Sequence, residues 1–140
     1  MADNMSKLDR TKTMKAIRSQ SRLENLLTKR LWHRGYRFRK NANSLFGKPD
    51  ISIRKYKIVI FIDSCFWHVC PIHSTWPKSN REYWENKLLR NQQRDNEVNE
   101  HYIKNGWHIK RIWEHEIKKD LIGVVEDVSS FIDNVKKNKP

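Results

Sequence analysis

Two cysteines and two histidines fall within the stretch Cys65-Phe66-Trp67-His68-Val69-Cys70-Pro71-Ile72-His73, and the chain has no other cysteine. Thiolate and imidazole are the ligands that Zn²⁺ prefers, and a structural zinc site wants four of them in a tetrahedron. Cys65, Cys70 and His73 supply three. The best candidate for the fourth is His115, far along the chain. His68 sits between these ligands and is crowded away from the same ion. Phe66 and Trp67 are large rings in a loop with little room to bury them. Exposed rings beside a basic surface suit stacking on, or wedging between, nucleic-acid bases.

A second group is built from oxygen. Asp50 closes Gly47-Lys48-Pro49-Asp50 at the start of a strand, and Asp63 ends the apolar run that follows. Carboxylates at the start of one hairpin strand and the end of its partner can lie side by side. Such a pair can hold Mg²⁺, a hard cation that takes carboxylates and water. His68 follows that strand end closely enough to reach a water near the ion. Asp95 could orient it, because a carboxylate–histidine–water chain is how a general base is assembled. The plainer readings are turn chemistry for Asp50 and a strand-end cap for Asp63.

The elements that must position these groups follow from periodicity. Ser21-Arg22-Leu23-Glu24 has capping-box spacing, and Leu23, Leu27 and Leu31 then share one helical face that Gly35 would end. Tyr36 and Phe38 alternate with Arg37 and Arg39 as a half-buried strand. Ile51 and Ile53 alternate next, with Lys55-Tyr56 as a hairpin turn. The continuous run Ile58–Ile62 predicts a strand buried on both faces. Ser79-Asn80-Arg81-Glu82 opens another helix, which runs to about Lys104 and stops at Gly106. Its stripe is Trp84, Leu88, Asn91, Asp95, Val98 and Tyr102, with two polar intruders. Trp107, Ile109, Arg111 and Trp113 alternate as a fourth strand. Asp120 can cap a last helix bearing Leu121, Val124, Val128, Phe131 and Val135. The order is α-β-β-β-α-β-α, an α/β fold with a mixed sheet and helices on its faces.

The 140 residues suit one domain, divided here into a basic N-terminal arm, 1–20, and a single domain, 21–140. Lys+Arg is 29 against Asp+Glu 16, a net charge of +13 that favours a polyanionic partner such as DNA or RNA. The excess is densest in residues 1–40, where only Asp3, Asp9 and Glu24 are acidic. Met1 to Arg10 is polar, without an apolar signal core, and Ile58–Ile62 is far too short to span a membrane. A cysteine pair beside histidines reads as metal ligation, which places the protein in a reducing cytoplasm.

The chain resembles the very short patch repair endonucleases, bacterial enzymes that nick DNA at T:G mismatches left by deamination of 5-methylcytosine. The resemblance runs from Met14 to about Glu116. It rests on Met14-Lys15-Ala16-Ile17, Gly47-Lys48-Pro49-Asp50, Val59-Ile60-Phe61, Cys65-Phe66-Trp67-His68, Trp84-x2-Lys87-x3-Asn91-x2-Arg94-Asp95 and Gly106-Trp107-x5-Trp113-Glu114. It implies a restriction-endonuclease-like core with an added zinc site. Asp50 would be the principal Mg²⁺ ligand, helped by the Ile62 backbone carbonyl. His68 would be the general base and Asp95 its hydrogen-bond partner, with Glu24 an acid close behind the metal. Phe66, Trp67 and Trp84 would wedge into the duplex beside the mismatch. The segment from Lys12 through Lys15 to Arg18 would close over the DNA.

The chain departs from that pattern where an active-site histidine becomes Asp63. It departs again where one of three zinc cysteines becomes a histidine, and at Val69. Glu24 alternatively completes a capping box, and Trp84 alternatively belongs to the core. The expectation is a Mg²⁺-dependent, zinc-stabilised, monomeric endonuclease that nicks one strand of a T:G-containing duplex. Mismatch-repair proteins are candidate partners. A non-catalytic zinc DNA-binding module, or a less specific or RNA-directed nuclease on the same core, is the rival.

Overall fold

The computed structural model describes residues 22–64 and 81–138. The first helix, α1, covers 22–33. Leu23, Leu27 and Leu31 turn inward from it as their spacing requires. Gly35 closes it at φ +98°, a left-handed conformation that costs a glycine little. The Gly35 N–H then reaches the Trp32 carbonyl at 3.0 Å and the Tyr36 N–H the Leu31 carbonyl at 3.2 Å, so two terminal carbonyls are satisfied.

Three strands follow: β1 (Arg39–Lys40), β2 (Ile51–Ile53) and β3 (Ile58–Asp63). A single 3₁₀ turn, Arg54–Tyr56, joins β2 to β3. Then come α2 (Arg81–Lys104), β4 (His108–Trp113), α3 (Glu114–Lys119) and α4 (Leu121–Asn138). The sheet order is β1-β2-β3-β4. The first two pairings are antiparallel and β3 with β4 is parallel, from Ile58↔His108 to Asp63↔Trp113. The result is an α/β fold with a mixed four-stranded sheet flanked by helices. Among the described residues, no helix is long and apolar enough to cross a membrane.

Every residue of β3 is buried, as its unbroken apolar run predicts for a central strand. Its alternation divides the interior. Ile58, Ile60 and Ile62 join Ile51, Ile112 and the apolar faces of α1 and α4 in the larger core. Val59 and Phe61 point the other way and pack with Val98 and Tyr102 of α2.

Three expectations shift. The strand over Tyr36–Arg39 shrinks to Arg39–Lys40, because β2 has only three residues to pair with and then coils into the 3₁₀ turn. Tyr36 and Phe38 still pack on the core, without cross-strand partners. A short helix, α3, separates β4 from the last helix. It carries one buried apolar residue, Ile117, too few to mark a helical stripe in sequence. On α4 the buried face is Val124, Val125, Val128 and Ile132, while Leu121, Phe131 and Val135 flank it half-buried. Asp120 does accept the Gly123 N–H at 2.9 Å, the cap expected of it.

Candidate active site

The same alternation collects the polar groups. Asp63 is two residues beyond Phe61, so it leaves β3 on the α2 side. Asp50 precedes Ile51, which pairs with Ile60, and therefore stands opposite Phe61. Asn91 and Asp95, the two intruders on the α2 stripe, face the sheet from above. Arg111, from β4, pairs with Phe61 in register. These side chains line one cavity of about 400 Å³.

The loop that delivers Asp50 is clamped to α2. The Tyr102 hydroxyl donates to the Phe46 carbonyl. Gly47 has φ +74°, and a Cβ there would lie 2.8 Å from both methyls of Val98. Only glycine allows this approach. Pro49 is buried, and Asp50 then turns its carboxylate onto the neighbouring strand. Its Oδ2 accepts the Ile62 N–H at 2.7 Å, past the last pair of the hairpin.

Asp63 is held from β4. Arg111 Nη1 lies 2.8 Å from Asp63 Oδ1, and the Asp63 side chain is 7% exposed. The same guanidinium reaches the Asn99 side chain at 2.6 Å, the Asp95 carbonyl at 3.4 Å and Asp95 Oδ1 at 3.8 Å. It also stacks over the Phe61 ring, 4.5 Å from the centroid. A planar fork of donors suits this role and a lysine would not. Arg111 thus fastens β3, β4 and α2 together at the cavity wall.

Glu24 stands apart from the cavity but close to it. It lies beside Lys40 and Asn41, and the Asn41 N–H bonds the Asp50 carbonyl at 3.0 Å. Glu24 Oε1 is buried without a hydrogen-bond partner. Burial raises its pKa above the ordinary glutamate value, while the Lys40 charge and a side-chain contact with Asn41 pull the other way.

Trp84 is fully buried, the position that the core alternative gives it and not that of an exposed wedge. Ile62 is buried within β3. His115 stands in the first turn of α3, stacked on Trp113 at 6.3 Å. Asp63 pairs with Trp113, so the chain leaves β3 and β4 side by side, with His115 just beyond. Lys12, Lys15, Arg18, Cys65, Phe66, Trp67, His68, Cys70 and His73 lie outside the described residues, as does the basic arm. Asp50, Asp63 and Asp95 share a wall without converging on one point. Among the described residues, no three His, Cys, Asp or Glu side chains are grouped to hold a metal ion.

Sequence reasoning singled out Asp50, Asp63, Asn91 and Asp95, and the fold brings these four together. It missed Arg111 and Asn99. Arg111 carried a usable signal: it interrupts the apolar face of its strand, as Asn91 and Asp95 interrupt that of α2. Hard oxygen donors at the end of a parallel strand pair, in a chain of charge +13, suit chemistry on a phosphate.

A family profile described as DNA mismatch endonuclease Vsr matches residues 2–74. Among curated proteins, the chain is 40% identical over 131 residues to the type II nicking enzyme V.NaeI of Lentzea aerocolonigenes, covering 89% of this chain and 79% of that one. It is 43% identical over 122 residues to the type II nicking enzyme V.HpaIIP of Haemophilus parainfluenzae, covering 84% and 86%. It is 34% identical over 117 residues to the DNA mismatch endonuclease Vsr of Escherichia coli strain K12, covering 81% and 74%. With half of its length matched by the profile and these relatives spanning most of the rest, the chain belongs to the Vsr family of DNA mismatch endonucleases.

Proposed function

We propose that the protein nicks one strand of duplex DNA at a T:G mismatch, the lesion left when 5-methylcytosine loses its amino group. That it is an endonuclease that nicks DNA follows from its family. The finer reading draws its support from one observation: Asp50, Asp63, Asn91 and Asp95 meet in a single cavity at the strand end that leads, five residues on, to His68. Turn chemistry and strand capping would account for Asp50 and Asp63 separately. They give no reason for α2 to turn two polar residues toward the same place.

The donor set fits a hard divalent cation. Asp50 would hold Mg²⁺ with the Ile62 carbonyl, and Asp63 would border it with a carboxylate already steadied by Arg111. Bound there, Mg²⁺ supplies positive charge to the phosphate and to the leaving oxygen. His68 takes the proton from the attacking water, Asp95 keeps the imidazole turned toward it, and Glu24 supports the metal side of the cavity. Phe66 and Trp67 wedge at the wobble pair, where a soft step makes unstacking cheaper than at a matched pair. The Lys12, Lys15 and Arg18 arm closes on the backbone. Cys65, Cys70, His73 and His115 hold Zn²⁺, a reading favoured by the parallel exit of β3 and β4 beside His115. The sheet with its flanking helices is read as a restriction-endonuclease-like core.

The test is a labelled duplex with one T:G pair, its matched counterpart and the equivalent RNA, each with Mg²⁺ and with EDTA. We expect one nick in the T:G duplex only, with Mg²⁺, and none from the Asp50→Asn or His68→Ala variants, which still bind DNA. Binding without any nick would favour a non-catalytic DNA-binding module. Equal cutting of matched duplex would favour a less specific nuclease.

A further inference from the structure

We propose that Lys48 and Arg94 grip the phosphate on which the cut is made. This rests on the nicking reading and names the groups that would seat its substrate.

Among the described residues, three cations line the cavity with Asp50, Asp63 and Asp95: Lys48, Arg94 and Arg111. They are used differently. Arg111 is spent on protein partners, namely Asp63, Asn99, the Asp95 carbonyl and the Phe61 ring. Among the described residues, Lys48 Nζ and the Arg94 guanidinium form no ion pair or hydrogen bond, although three carboxylates line the same cavity. Cations left open beside carboxylates that never claim them are available to an anion from outside. A phosphate diester suits both, as a point charge for lysine and as a matching fork for arginine.

Lys48 carries a second sign. Its backbone sits at φ +52°, a region that long side chains seldom occupy and that glycine takes freely. The chain keeps a lysine there, two residues before Asp50, on a loop locked to α2 through Gly47 and Val98. Backbone strain held in place by its surroundings gathers at functional positions. A lysine serving only the turn would gain by becoming glycine or asparagine. Arg94 comes from α2, immediately before Asp95, so loop and helix each contribute one cation.

The experiment compares Lys48→Asn, Lys48→Arg and Arg94→Gln with wild type on the T:G duplex. Asparagine tolerates the left-handed backbone and lacks the charge. We expect Lys48→Asn to melt no lower than wild type while single-turnover nicking at saturating Mg²⁺ falls by about 100-fold, as for loss of one charge-stabilising donor. Lys48→Arg should regain most of that rate. In EDTA, Lys48→Asn and Arg94→Gln should each flatten the slope of log affinity against log salt by about one unit. Nicking by Lys48→Asn within about twofold of wild type, or unchanged salt slopes, would overturn the proposal. A wild-type protein that leaves the duplex intact overturns the nicking reading instead, and the salt slopes alone then decide on the phosphate contacts.

Discussion

Arg111 Nη1 donates to Asp63 Oδ1 at 2.8 Å, across the parallel pair β3 and β4 and beside α2. Asp63 therefore serves the fold as well as the site. Breaking a buried pair by neutralising one partner costs roughly 3–5 kcal/mol, because the other charge stays buried. Asp63→Asn should lower the melting temperature accordingly and also raise the Mg²⁺ needed for half-maximal nicking. A titration curve that overlays on wild type, with the melting loss intact, would keep Asp63 as an anchor and remove it from the metal.

The histidine that the resemblance implies at this position would meet a condition here. An imidazole facing the Arg111 guanidinium loses the ion pair and adds a repulsive charge whenever it is protonated. Asp63→His alone should be destabilised, more so at pH 6 than at pH 8. Asp63→His with Arg111→Leu should recover part of the loss. The coupling energy between the two, from thermal melts of the four proteins, is expected to exceed about 1 kcal/mol. Additive effects would show that the pair does not act as a unit.

Glu24 separates capping from chemistry by its pH dependence. Burial raises its folded pKa, so ionising it costs stability. That cost is full above the raised folded value and disappears below the unfolded one. Glutamine keeps capping-box chemistry and cannot ionise. Glu24→Gln should melt at or above wild type at neutral pH, and the two should converge as pH falls through the ordinary glutamate range. If Glu24 acts near the metal, nicking drops in this variant despite its stability. Undiminished nicking would leave it as a cap.

Zinc should be present at one ion per chain. Cys65→Ala and His115→Ala should both lose it and melt lower, since the binding energy of a structural metal is folding energy. Elemental analysis that finds zinc retained in His115→Ala would send the fourth ligand elsewhere. Well-folded wild type without zinc would end the assignment.

Gly47→Ala places a methyl 2.8 Å from the Val98 side chain at φ +74°. Overpacking of this kind costs about 1–3 kcal/mol, and the backbone strain adds to it. Val98→Ala should relieve the contact and not the strain, so the double variant should recover only partly. Nicking by Gly47→Ala should fall further than its melting temperature suggests, because the loop delivers Asp50.

What could be read in advance was whatever repeats locally. The unbroken run of β3, the leucines of α1 and the stripe of α2 all declare themselves within one element. Asn91 and Asp95 stood out because they broke such a stripe. Asp63 and Arg111 are 48 positions apart, and their meeting depends on the register of two parallel strands, which no local pattern encodes. β1 was overestimated because its length is limited by its partner's. Trp84 could be assigned to core or surface only once something was seen to cover it.

The cavity is walled by β3, by α2 and by β4, which returns alongside β3 only after the whole helix has been made. A chain growing from its N-terminus thus displays the basic arm and Asp50 long before Arg111 exists. A copy that stopped before β4 would lack Arg111, and with it the contact that holds Asp63 at the cavity wall.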